Sequence, residues 1–219
     1  MSAIAPTRPK APPGVPDWVP RRIRRMSVEE YEAAVASGAI PTSHRTHLIN
    51  GYLVEKMPQN PPHVTAAHRC RVRLEGVLPR RGWHIRSGAP IRLPDRASEP
   101  EPDHCIVRGT IDDYLVRHPG AADIALVVEI ADSSLADDHD YALNLYGPAG
   151  IPACWIVDVN ARRVEVYTLA DPQGYGPPEF FGEGQSIPVV IGGRVRGRIA
   201  VEDILPPHRP KAKAKGNRA

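Results

Sequence analysis

The sequence predicts an α/β (α+β) fold, a mixed β-sheet flanked by helices, and three observations predict it. Ile124 to Ile130 is a continuous apolar run broken by one carboxylate, which reads as a central strand buried on both faces. Asn50-Gly51 lies between two apolar arms, the strongest short-range hairpin signal, because a type I′ turn needs positive φ at both central residues. Segments of helical period alternate with short extended ones in the order α, ββ, α, βββ, α, ββ, β.

Taken in order, Ser27-Val28-Glu29-Glu30 is a capping box that starts a helix over about 28–36, and Gly38 ends it. Strands follow at 46–49 and 52–57. After the Pro61-Pro62 break, His63 to Leu78 repeats apolar residues with arginines between, which predicts a second helix closed by Pro79 and Gly82. Residues 83–93 read as a strand that Pro90 confines to an edge or bulge, His104 to Val107 as another, and 112–117 as a short helix or loop. Beyond the central strand, Ser134 opens a helical stretch to Tyr146 that Gly147-Pro148 stops. Strands are expected at 153–158 and 163–169, one or two more within 179–199, and one helical turn from Val201 to Leu205.

The 219 residues are 42% hydrophobic and 24% charged, enough for one core, and predict a single domain over 26–207 between Pro-rich basic tails at 1–25 and 208–219. Each tail carries a net +5, leaving 17 basic against 24 acidic side chains in the body, net −7, which is not a generic nucleic-acid-binding surface. The tails read as disordered, either solvated or in loose phosphate contact. No apolar run is long enough to span a membrane, and prolines and basic residues stand where a signal peptide has its apolar core, so a cytoplasmic protein is expected. Cys70, Cys105 and Cys154 are odd in number and widely spaced, and read as buried apolar residues.

Glu129 is the most informative residue, because an ionised carboxylate in an apolar strand costs several kcal/mol unless it is paired or binds a cation. The alternatives to a functional site are an exposed sheet edge or an ion pair with an arginine. Asp103, after the stiff Glu101-Pro102 approach, opens the preceding strand. Alone it is a turn residue. If its strand neighbours that of Glu129, the two carboxylates converge as a hard divalent cation requires. Asp137-Asp138-His139-Asp140 reads as a helix first turn whose acids meet the dipole. His44, His68, His84 and His118 follow no metal-ligand spacing, and no phosphate loop or serine-hydrolase elbow stands out.

At these residues the chain resembles the Uma2-like restriction-endonuclease family (DUF820), a bacterial group with the PD-(D/E)xK nuclease core. The resemblance runs from about Met26 to Leu205. It rests on Met26 to Tyr31, the hairpin Leu48 to Val54, Met57-Pro58 followed by His63, Glu101-Pro102-Asp103, Val127 to Leu135, and Leu143 to Asp158 with Tyr146. It implies a restriction-endonuclease-like core, Mg²⁺ or Mn²⁺ bound by Asp103 and Glu129, and hydrolysis of phosphodiester bonds in nucleic acid, most naturally DNA, by an endonuclease that could act as a homodimer. His63 matches a family position near the site.

The resemblance also implies a lysine one helical turn before Tyr146, where this chain has Ala142, and the immediate alternative after Glu129 is Ala131. His47 and Tyr52 stand where the family often has glutamates in the hairpin, and a glutamate after Pro152 is likewise absent. Lys56, the one lysine of the body, Asn144 and His139 are the candidates to replace the lysine. The alternative is a catalytically inactive nuclease fold that binds nucleic acid or a protein partner.

Overall fold

In the computed structural model, which describes residues 24–41, 46–172 and 174–208, helix α1 (Val28–Ala36) begins at the expected box. Glu30 N–H donates to Ser27 Oγ at 3.2 Å, and Ser27 N–H to the Glu30 carboxylate at 3.0 Å. The expected tails lie, but for a few residues, outside the described segments. Strands β1 (Thr46–Ile49) and β2 (Tyr52–Glu55) form the predicted antiparallel hairpin, with φ of 50° at Asn50 and 81° at Gly51. Helix α2 (Pro61–Val77) starts two residues earlier than the sequence suggests. The proline pair does not break it, because the first helical turn needs no N–H donor there.

The main sheet joins β3 (Trp83–Ser87), β4 (His104–Arg108), β5 (Ile124–Ala131), β6 (Ala153–Asp158) and β7 (Arg163–Asp171) in that order. The far side of β7 pairs with β8 (Gly174–Tyr175) at one end and β9 (Glu179–Gly182) at the other. Every pairing is antiparallel except β5 with β6. That parallel pair needs a crossover. It is made by α3 (Leu135–Tyr141), which runs on into a π-helical turn over Ala142–Tyr146. Residues 83–93 are not one strand: Gly88, at φ 55°, turns the chain, and its N–H bonds to the carbonyls of Pro102 and Asp103. The expected segment at 112–117 is a 3₁₀ turn at Ile111–Tyr114. The stretch 179–199 holds β9 and a separate hairpin, β10 (Ser186–Ile191) with β11 (Arg194–Ala200), before the turn of α4 (Val201–Ile204).

Alternation along β5 divides the core. Leu126, Val128 and Ile130 face α2 and the β10–β11 hairpin, packing with Ala66, Cys70, Leu74 and Ile187. Val127 and Ala131 face the other way, against Ala142, Leu145 and Tyr146 of the crossover. Burying each such aliphatic side chain contributes roughly 1.5–3 kcal/mol, which holds the ends of β4 and β5 in place. All three cysteines are buried and free, as expected.

Candidate metal centre

The antiparallel register pairs His104 with Val128, so the residue before β4 meets the residue after Val128. These are Asp103 and Glu129, and three groups lock them together. Asp103 N–H donates to Glu129 Oε2 at 3.2 Å, and Ile130 N–H donates to Asp103 Oδ2 at 2.8 Å. Tyr146 O–H donates to Glu129 Oε1 at 2.5 Å. Glu129 is only 7% exposed, lies on an inner strand and has no arginine partner among the described residues, so among them neither alternative explanation of its burial applies.

The free oxygen of Asp103 is held from α2 and the segment before it, by His63 Nε2 at 3.1 Å and Gln59 Nε2 at 3.2 Å. A third acid, Asp138, turns into the same cavity of about 180 Å³ and accepts from Ser134 Oγ at 2.8 Å. Burial, then the charges of Asp103 and Asp138, pushes the Glu129 carboxyl well above its ordinary range against the opposing hydrogen bond from Tyr146. Burial above all lifts Asp138 to about 7, the Ser134 hydroxyl opposing and the charge of Asp103 adding. For His63, burial favours the neutral ring, but the hydrogen bond and charge of Asp103 outweigh it and the net shift is upward.

Among the described residues no lysine or arginine hydrogen-bonds Asp103, Glu129 or Asp138. Negative charge with only neutral and imidazole donors around it is chemically suited to a cation. Among the same residues no three His, Cys, Asp or Glu side chains are grouped to enclose a metal by themselves. One or two carboxylates are the protein ligands that a Mg²⁺ ion needs when it keeps most of its waters, whereas a structural zinc site needs four enclosing ligands.

The three candidates for the missing lysine separate cleanly. Lys56 lines the cavity, its Nζ donating to Glu101 Oε2 at 2.9 Å. His139 points away, its Nε2 bonded to Glu165 Oε2 at 2.8 Å, and Asn144 is on the exposed helix face, donating to Asp140 at 3.4 Å. Ala142 is completely buried beside Leu145 and Tyr146. His47 also lines the cavity, and burial first, then the charge of Lys56, lowers it to about 4. The sequence alone presents Asp138 as a first-turn acid that meets the helix dipole and gives Tyr146 no contact. The signal was the spacing of Asp138, Ala142 and Tyr146, one helix turn apart and all buried, which puts an acid on the crossover's apolar face.

A family model described as "Uma2: Putative restriction endonuclease" matches residues 28–199. The chain belongs to the Uma2 family. The fold agrees: a crystal structure of "a putative nuclease belonging to DUF820" from Anabaena variabilis superposes with a TM-score of 0.59 at 15% identity, covering 82% of this chain and 97% of that one. No curated protein sequence matches. Among the described residues of this Uma2 chain, no helix is long and apolar enough to cross a membrane.

Proposed function

We propose that this Uma2 protein is a divalent-metal-dependent endonuclease that hydrolyses phosphodiester bonds of nucleic acid, DNA in the first instance. The observation that carries the reading is the junction of Asp103 and Glu129 at the mouth of adjacent antiparallel strands. Mg²⁺ or Mn²⁺ bound there would neutralise charge developing on the phosphorus oxygens and make a bound water more acidic.

The chain's own residues prepare that site. Tyr146 O–H and the Asp103 amide hold both oxygens of Glu129, so its carboxylate enters the cavity in one orientation. Ile130 N–H fixes one oxygen of Asp103, and His63 with Gln59 aims the other. These partners hold the ligands in place before substrate arrives, which is where much of such a centre's efficiency arises. Asp138, whose Oδ2 accepts from Ser134, would offer Oδ1 as an acceptor for a proton of the attacking water.

A second reading, a nuclease fold that binds nucleic acid or a protein partner without cutting, is favoured by one observation: the helix position of the expected lysine is filled by buried Ala142. One experiment separates the two. Purified protein is incubated with plasmid and single-stranded DNA in Mg²⁺ or Mn²⁺, beside a Glu129→Gln variant. Metal-dependent cleavage by the wild type that the variant loses supports the nuclease; binding of DNA without cleavage under either metal supports the second reading.

A further inference from the structure

Lys56 is the only lysine among the described residues, and it follows β2 at the wall of the cavity that holds Asp103 and Glu129. The cavity lining carries seven carboxylates and no arginine. A phosphodiester approaching it therefore meets repulsion from the ionised carboxylates; on the lining the positive groups are Lys56 and, when protonated, His63, whose Nε2 is engaged by Asp103 at 3.1 Å.

The ammonium is held at the site rather than released to water. Its side chain is 17% exposed, and Nζ donates both to Glu101 Oε2 at 2.9 Å and to the Glu101 carbonyl at 3.0 Å. An ammonium has three N–H donors, so one remains for a ligand. Glu101 is joined to Asp103 through Pro102 alone, and the proline fixes φ there, so the anchor of the ammonium and the metal-binding carboxylate belong to one stiff segment. From the crossover helix, buried Ala142 offers only a methyl group. Nearby His47, neutral at physiological pH, adds no second positive charge.

We infer that Lys56 is the cation that contacts the scissile phosphate, supplied from the hairpin instead of the crossover helix; this rests on the nuclease reading and names a further residue for it. Lys56 forms and breaks no covalent bond. It donates a hydrogen bond to a non-bridging phosphate oxygen, and Glu101 holds it at the height of the cavity until substrate enters.

The test compares wild type with Lys56→Gln, Lys56→Arg and Glu129→Gln, and has two readouts. The first is Mg²⁺-dependent cleavage of single-stranded DNA. The second is the salt dependence of binding to fluorescein-labelled single-stranded DNA with Ca²⁺ in place of Mg²⁺. Lys56→Gln should lower kcat at least about tenfold without moving the thermal midpoint, Lys56→Arg should recover most of it, and the salt slope of Lys56→Gln should fall by about one. If Lys56→Gln cuts like wild type while Glu129→Gln does not cut, the role of Lys56 is overturned and the metal reading stands. If no protein cuts, the binding arm decides: a slope lowered by about one keeps Lys56 as a phosphate contact although the hydrolysis reading fails, and an unchanged slope overturns both.

Discussion

Two buried glutamates lie on the same face of the sheet, on either side of Ile156: Glu129 pairs with Ile156 on β6, and Ile156 pairs in turn with Glu165 on β7. Their surroundings are opposite. Glu165 accepts from Arg163 at 2.8 Å and Tyr167 O–H at 3.1 Å and pairs with His139 at 2.8 Å; these contacts outweigh burial and hold its carboxyl below the ordinary range. Glu129 has a phenol and an amide, and faces two further acids. Adjacent residues of α3 serve the two sites, His139 giving Glu165 a hydrogen-bond partner and Asp138 giving Glu129 a further acid beside Asp103. The same strand chemistry thus yields a closed structural ion cluster at one position. At the other it leaves a charge deficit that a foreign cation can fill.

The largest expected effects break this contrast directly. Glu129→Gln should lower metal-dependent cleavage at least about 100-fold, because the amide removes an anionic oxygen from the proposed cation site. Retention of wild-type cleavage by that variant would rule out a metal role for Glu129. Replacing both His139 and Arg163 by Ala strands the Glu165 charge and should cost about 3 kcal/mol in urea unfolding, with loss of the midpoint rather than of the metal response. Mg²⁺ at a hundredfold excess over its Kd should stabilise wild type by about 2.7 kcal/mol and Glu129→Gln by far less, read as a shift of the thermal midpoint.

A smaller effect sharpens the comparison through pH. Asp138 binds its proton more tightly folded than unfolded, so the folded state holds more protons between the ordinary aspartate range near 3.8 and about 7. Stability of the metal-free protein should therefore fall as pH rises through that window, and Asp138→Asn should flatten the slope. Glu165 has the reverse sign: its lowered carboxyl contributes stability above about 4.5 that is lost as pH falls through the folded value. The smallest effect is Asn144→Ala, which should leave cleavage within about twofold, since Asn144 reaches only Asp140 on the exposed face.

Much of this was legible in the sequence because it is written in local chemistry. The capping box at Ser27, the Asn-Gly turn and the apolar run around Glu129 each dictate structure within a few residues, and all three appear where expected. The likeness of Glu101-Pro102-Asp103 and the strand ending in Ala131 to a nuclease core placed the two acids together before register showed them hydrogen-bonded. What could not be read depends on which way a residue turns in three dimensions. Asp138 and His139 are neighbours in one acidic stretch, but the helix sends the first toward Glu129 and the second toward Glu165. The end of β3 at Ser87 is set by Gly88 bonding to carbonyls fourteen and fifteen residues away, a long-range contact with no local signature.

If Asp103 and Glu129 bind the divalent cation, the ion can be seen directly. The measurement is an anomalous-difference map at the manganese edge from crystals grown in Mn²⁺. A peak between the two carboxylates that disappears in Glu129→Gln is expected; manganese bound elsewhere with none at this junction would overturn the proposed cation site.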